Sequence, residues 1–252
     1  MPVVAALRSL VDLALPPSCA GCGRPDDGLC GSCRDELAAS VWGGGPRPVT
    51  PTPCPEGLPP VVASTAFAGT VARLVVAHKD RDRRDCAAVL AQLLSASVEG
   101  ALAQHPALAG SLAAGAGPLL VVPVPSSARA RRTRGDAPLV GLARLTVRRF
   151  PRGEVVVAQA LTVRRRVADQ AGLGAADRAA NLDHAFAVRP RWRGHVARLP
   201  CLLVDDVLTT GATLSEAARA LRAAGAPHVL AAVASATQRR VPVIRNASAC
   251  TG

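Results

Sequence analysis

The run Cys201-Leu-Leu-Val-Asp-Asp-Val-Leu-Thr-Thr-Gly-Ala-Thr213 constrains the fold of this chain more than any other stretch. Leu202 to Val204 is a short apolar run of the kind that fills a central parallel strand, with both faces covered. Thr209, Thr210, Gly211, Ala212 and Thr213 follow as a turn of small and hydroxylated residues. A helix is expected next, because Thr213 and Glu216 have capping-box spacing, Ala217, Leu221 and Ala224 repeat at helical period, and Gly225 stands where a C-terminal cap belongs. A turn between a strand end and a helix start gathers free N–H groups and the positive end of the helix dipole. It is therefore a phosphate cradle that needs no lysine. Asp205 and Asp206 cannot hold a phosphate. Their carboxylates suit two ribose hydroxyls, or a magnesium ion carried by the ligand. A capped turn alone would explain Thr213 but not two adjacent acids followed by Thr-Thr-Gly.

Cys19-Ala-Gly-Cys22 and Cys30-Gly-Ser-Cys33 form two C-x-x-C knuckles, with glycines at 21, 23 and 31 to relieve the tight turns. A metal is the economical reading, zinc first and an iron–sulfur cluster second, with disulfides as the alternative in an oxidising compartment. Four thiolates leave zinc no open position for water, so the expected role is structural. Cys54, Cys86, Cys201 and Cys250 lack such spacing, and Cys86 and Cys201 read as small buried hydrophobes.

The rest of the chain alternates strand and helix. Strands are expected at Val61 to Phe67, Leu119 to Val122, Glu154 to Val157, Ala185 to Val188 and Val229 to Ala234. Helices are expected at Thr70 to His78, Asp85 to Gln104 and Ala137 to Phe150. This order predicts an α/β fold, a mainly parallel twisted sheet with helices on both faces. The organisation expected is an N-terminal helix and four-cysteine zinc-binding module over 1–41, a Gly/Pro-rich linker over 42–58, the main domain over 59–240 and a tail over 241–252. The charged run Lys79 to Arg84 reads as a solvated turn.

Thirty basic residues against 18 acidic ones leave a net charge of +12, and Lys79 is the one lysine among them. Such a surface favours anionic partners, phosphorylated metabolites or nucleic acid, without choosing between them. Met1 to Leu15 lacks the basic start of a secretory leader, and its Val4, Leu7, Leu10, Val11 and Ala14 share a helical face. No membrane span is expected, and the cytoplasm is the expected location.

A second anion site is expected just after the strand at Leu119. There Pro123-Val-Pro-Ser-Ser-Ala-Arg-Ala-Arg-Arg-Thr-Arg-Gly135 leaves the same sheet edge as the Asp205 to Thr213 turn. Ser126, Arg129 and Arg134 lie in it, and arginines there can grip a pyrophosphate through charge-assisted bonds.

The Cys201 to Thr213 segment, with four mainly apolar residues, two acids, two variable positions and then Thr-Thr-Gly-x-Thr, resembles the 5-phosphoribosyl-1-pyrophosphate (PRPP) signature of type I phosphoribosyltransferases. Four further features make nearly the whole chain similar to the ComF family of phosphoribosyltransferase-like proteins. They are an N-terminal helix leading to Pro-Pro-x-Cys, the cysteine knuckles, the Val-Pro-Val-Pro turn with Arg134-Gly135, and Gln170-x-x-Leu173 with Arg178, Asn181 and Ala185-Phe186. Where that family continues with an aromatic residue, Asn and Gln, this chain has Asp136-Ala137-Pro138. It also lacks a second cysteine group near Cys54, so one metal ion is expected.

The resemblance implies a Mg-PRPP-dependent phosphoribosyltransferase acting on an unidentified acceptor. In it Asp205 and Asp206 would be catalytic, and Thr209, Thr210, Gly211, Ala212, Thr213, Ser126, Arg129 and Arg134 would bind PRPP. Gln170, Arg178 and Asn181 would belong to a hood that excludes water. The rival implication is a non-catalytic protein of competence, DNA uptake or nucleic-acid handling that keeps the fold. Scarce aromatics weigh against base stacking in that role: three Phe, two Trp and no Tyr. A PRPP-sensing regulator is a third reading.

Overall fold

The computed structural model describes residues 18–25, 28–125, 138–164 and 184–238. The expected helix over residues 1–15, the arginine-loop residues Ser126, Arg129 and Arg134, and the hood residues Gln170, Arg178 and Asn181 lie outside these.

The described chain is α/β. The strands of its main sheet are β1 (Arg47–Pro48), β2 (Val61–Ala66), β3 (Leu119–Pro123), β4 (Val155–Val157), β7 (Cys201–Leu208) and β8 (Val229–Ala236). They form a six-stranded mixed sheet ordered β1-β2-β8-β7-β3-β4. All neighbouring strands run parallel except β1, which pairs antiparallel with β2. Parallel pairs need long crossovers, and the helices supply them. The helices are α1 (Gly31–Ser40), α2 (Gly69–Asp80), α3 (Ala87–Ala103), α4 (Pro106–Ala113), α5 (Pro138–Val147), α6 (Arg193–Val196) and α7 (Ala212–Ala223).

Side chains of β7 alternate between two cores. Cys201 and Leu203 pack in a cluster with Leu214, Ala217 and Leu221 of α7, while Leu202 and Val204 join Leu74, Leu90, Leu94 and Leu142 on the other face. Burial on both faces is why the strand reads as an unbroken apolar run. The stretch Arg84–Ala103 is long and apolar enough to cross a bilayer by length and composition, against the expectation that no run would be. Leu90, Leu94 and Val98 are nonetheless fully buried in the second core cluster, which is the burial of a core helix.

Three local expectations differ from the structure. Residues Phe186–Val188 form β6, but it pairs antiparallel with β5 (Leu161–Val163) in a separate two-stranded ribbon that packs on α7. Three-residue strands carry too little period to declare their partners, so tertiary contacts decide. The Thr213–Glu216 capping box does not form: α7 starts directly after Gly211, Thr213 lies inside its first turn, and Glu216 is buried elsewhere. The Gly/Pro-rich stretch is stitched to the body by β1 and by a bridge from Val41 to Thr65.

The other end of α7 follows expectation. Gly225 takes φ +88, its N–H reaches the Arg222 carbonyl and the Ala226 N–H reaches Leu221, the paired bonds of a Schellman stop.

Candidate functional site

β7 runs four residues beyond the apolar core of the strand, so Asp205 and Asp206 sit within its carboxyl end rather than after it. Both are half-buried. The Asp206 N–H donates to Asp205 Oδ1 at 2.8 Å. Burial, then the neighbouring Asp206 charge, pushes the Asp205 carboxyl up to about 7, with Lys79 pulling the other way. Two carboxylates side by side in a partly dry edge resist carrying two charges. They call for a cation or for hydroxyl donors.

A cation is present in the protein itself. Lys79, in the last turn of α2, places Nζ 3.1 Å from Asp206 Oδ1 and 3.0 Å from Oδ2. Its side chain is half exposed, 51%, while that of Asp206 is 15% exposed. Burial would lower the lysine pKa, but Asp206, Asp205 and Asp80 outweigh it and the net shift is upward. His78 beside it is buried and held below the usual histidine range, burial outweighing the attraction of Asp206. The charged run expected as a solvated turn thus starts inside α2, and its Lys79 joins the site by an ion pair that the local sequence does not announce.

The turn after β7 has the shape a small anion needs. Thr209 is exposed, Thr210 is half-buried with Oγ1 3.5 Å from the Ala212 N–H, and Gly211 takes φ +77 as the residue before α7. The first N–H groups of α7 lie past the reach of intrahelical carbonyls, so they remain donors toward this turn. A Cβ at Gly211 would come within 3.1 Å of Leu58 Cδ1 and 3.2 Å of Pro51 Cγ and Pro55 Cγ. The prolines therefore roof the turn on one side. Ser215 Oγ donates to the Glu56 carbonyl and Arg222 to that of Gly57, fixing this roof to α7.

Glu216 anchors the same helix to the ribbon. Its Oε1 accepts the Phe186 N–H at 3.0 Å and the Arg219 guanidinium at 2.8 Å, and its Oε2 accepts Arg219 at 2.6 Å.

The four knuckle cysteines come together. Their Sγ atoms all lie within 4.8 Å of one another, and Cys22 and Cys30 are 3.6 Å apart. Thiolates about 2.3 Å from a tetrahedral ion stand about 3.8 Å from each other, so the set fits one four-coordinate metal. All four are free thiols rather than disulfides. Burial opposes ionisation of Cys19, but the N–H groups of Cys30, Cys22 and Gly21 overcome it and lower the thiol to about 6. Burial pushes Cys33 up to about 12. The Cys19 thiol is ready as thiolate, and that of Cys33 would be deprotonated by the ion itself. Gly21 has no room for a side chain: a Cβ would sit 2.6 Å from Cys33 Sγ.

Of the residues singled out in the sequence, the described ones fall into two sets. Asp205, Asp206 and Thr209 to Thr213 meet at the carboxyl edge of β7, and Cys19, Cys22, Cys30 and Cys33 gather in the N-terminal module. Lys79 is the addition, and no local motif announces it; Glu216 carries capping-box spacing but serves instead to tie α7 to the ribbon. No protein-family model matches the chain, and no curated protein matches it.

Proposed function

We propose that the chain is a type I phosphoribosyltransferase-like protein that binds Mg-PRPP at the carboxyl edge of its sheet and transfers the phosphoribosyl group with release of pyrophosphate. One observation carries this reading. Two half-buried acids at the end of a central parallel strand run directly into a Thr-Thr-Gly turn at the start of a helix. The 5-phosphate would sit on Thr209, Thr210, Gly211 and Thr213, taking N–H donors from the first turn of α7. Asp205 and Asp206 would accept the ribose hydroxyls. Because Asp205 titrates at about 7, hydroxyl donors or a divalent ion facing it favour its ionised form.

In the transfer, a bond forms from an acceptor nitrogen to ribose C1 as the C1–O bond to pyrophosphate breaks. Positive charge builds at C1 between these steps, and the carboxylates stabilise it. Magnesium would supply neutralisation of the pyrophosphate. Positioning and electrostatics would carry most of the rate. By the resemblance to the ComF family, Arg129 and Arg134 would receive the leaving group and Gln170, Arg178 and Asn181 would close over it. The cysteine module, with zinc, would be structural.

Calorimetric titration of Mg-PRPP into the parent chain and the Asp205→Asn, Asp206→Asn double variant tests the reading. Binding that disappears in a folded double variant is expected. Equal binding by both, or none by the folded, metal-loaded parent, would sink it.

A second reading has its own observation. Arg148, Arg149, Arg152, Arg191, Arg193 and Arg198 are all exposed, in the segments that lead into β4 and β7 at the amino edge, opposite the acid pair. Such an edge suits a phosphate backbone. Salt-dependent binding of single-stranded DNA, uncompeted by PRPP and lost on replacing Arg191, Arg193 and Arg198 with Gln, would favour it.

A further inference from the structure

Helix α2 has no cap of its own. The residue before it is Ala68, which offers no side-chain acceptor. The missing acceptor comes from the cysteine module: Glu36 of α1 takes the Thr70 N–H on Oε1 at 2.9 Å and the Thr70 hydroxyl on Oε2 at 2.6 Å. Arg73, one turn further along α2, completes the clamp with a 2.8 Å bond to the same Oε2. The Thr70 hydroxyl and N–H hold the Glu36 carboxyl below the usual range, and Arg73 adds to them against a small opposing effect of burial. A carboxylate at a helix start also meets the favourable end of its dipole.

The other end of α2 touches the module too. Arg83, in the turn that follows the helix, reaches the Gly28 carbonyl between the two knuckles at 3.4 Å while holding Asp85 in a two-point bridge. Ala20 and Leu29 of the knuckles pack against the same core cluster as Val71, Leu74 and Val75 of α2. The module thus grips α2 at both ends, and Lys79 projects from its last turn onto Asp206.

We infer that the metal-loaded cysteine module positions Lys79 on the acid pair, with Glu36 and Arg83 as the positioning residues. Without metal the knuckles are left joined by a few bonds, such as Cys30 N–H to Cys19 Sγ at 3.3 Å and Ala20 N–H to the Gly28 carbonyl at 3.0 Å; α1 and Gly28 are then held less firmly, and the cap and rear contact of α2 weaken with them. Lys79 then holds its station over Asp206 less firmly. The charge at the mouth of the phosphate turn is thereby tied to occupancy of the cysteine site. The consequence for ligand affinity rests on the PRPP reading; the placement of Lys79 does not.

Because Lys79 is the one lysine in the chain, its chemistry can be followed without interference. The rate of its acetylation by an N-hydroxysuccinimide ester is read by peptide mass spectrometry, which separates it from the terminal amine. The groups facing its ammonium are Asp206, Asp205 and Asp80. Full-length metal-loaded protein is compared with the same protein after chelation, with Glu36→Ala, with Arg83→Gln, and with Asp206→Asn as the unpaired reference. Chelation and Glu36→Ala are expected to raise the rate about two- to fivefold, the scale of losing one half-exposed ion pair, toward that of Asp206→Asn. Arg83→Gln is expected to give a smaller rise in the same direction.

Unchanged Lys79 reactivity in demetallated protein, or in both folded, metal-loaded variants, would overturn the inference. Titrating Mg-PRPP into the same samples separates the two claims. PRPP binding with an unresponsive Lys79 would remove the brace alone, and a responsive Lys79 without PRPP binding would remove the proposed ligand alone.

Discussion

Replacing Gly211 and Gly225 with alanine, one at a time, separates two costs that the structure assigns to them differently. Both glycines bound α7 and both lie in the left-handed region, at φ +77 and +88. An L-residue pays about 1–2 kcal/mol for that conformation. At Gly225 the added methyl meets the Ala197 Cβ at 3.5 Å, an ordinary contact, so the backbone cost is the whole cost. At Gly211 the methyl would meet three carbons, of Leu58, Pro51 and Pro55, at 3.1–3.2 Å. Two of those belong to proline rings, which cannot rotate away. Overpacking of this kind adds about 1–3 kcal/mol.

Gly225→Ala is therefore expected to lose about 1–2 kcal/mol, and Gly211→Ala about 2–5 kcal/mol. For a chain of this size each 1 kcal/mol moves the midpoint by about 2–4 °C. Thermal melts followed by circular dichroism, on metal-loaded protein, give the comparison directly. Equal midpoints for the two variants would refute the roof over the turn. A midpoint unchanged in Gly225→Ala would refute the left-handed stop.

Two further changes probe carboxylates removed from full solvation. Asp205 titrates at about 7 when folded and ~3.9 when unfolded, so it weakens the folded state progressively as pH rises between those values and by a constant amount above. Asp205→Asn should erase that slope and be the more stable protein at pH 8, by about 1–3 kcal/mol; urea melts at pH 4 and pH 8 with parallel shifts would contradict it. Glu216→Ala strands the Phe186 N–H and removes both carboxylate bonds of Arg219, which keeps its bond to the Phe186 carbonyl, and should cost about 1–3 kcal/mol, with Glu216→Gln, which keeps an acceptor, costing less. A urea midpoint for Glu216→Ala within error of the parent would show that the ribbon is not tied to α7 through this carboxylate.

What the sequence made legible was what is local. The strand, acids, turn and helix from Cys201 to Gly225 are consecutive, and each residue type has a reason tied to its immediate neighbours. The knuckles were legible for the same reason: two thiols and a glycine within four residues already determine a turn. The contacts across the chain were not. Lys79 and Asp206 are brought together by α2 crossing toward β7, and a lysine in a run of charges looks locally like any solvated one. Glu36 of α1 caps α2 through Thr70, 34 residues further along the chain, and no short sequence window contains both partners. Glu216 was misassigned because capping-box spacing is satisfied by chance wherever a threonine precedes a glutamate by three; what decides its role is that α7 buries that face. Ala185 to Val188 reads as one more strand of the main sheet, and nothing at Leu161–Val163 announces the partner that draws it into a separate ribbon, since a three-residue strand says nothing about direction.

The strand order also dictates when this protein can finish folding. β8 is the last strand of the sheet to leave the ribosome, yet it stands between β2 and β7, with Val61 of β2 beside Ala231 and Leu203 of β7 beside the same residue. Until it arrives, β2 has no parallel neighbour, and the two halves of the sheet cannot join. The cysteine module is synthesised long before that. Its four cysteines could hold a metal ion while much of the core is still a nascent chain, leaving α2 docked on a folded module but facing a sheet that does not yet exist. Exposure of Val62, Leu74 and Leu90 during that interval is the period in which this chain is most open to aggregation and to chaperone capture.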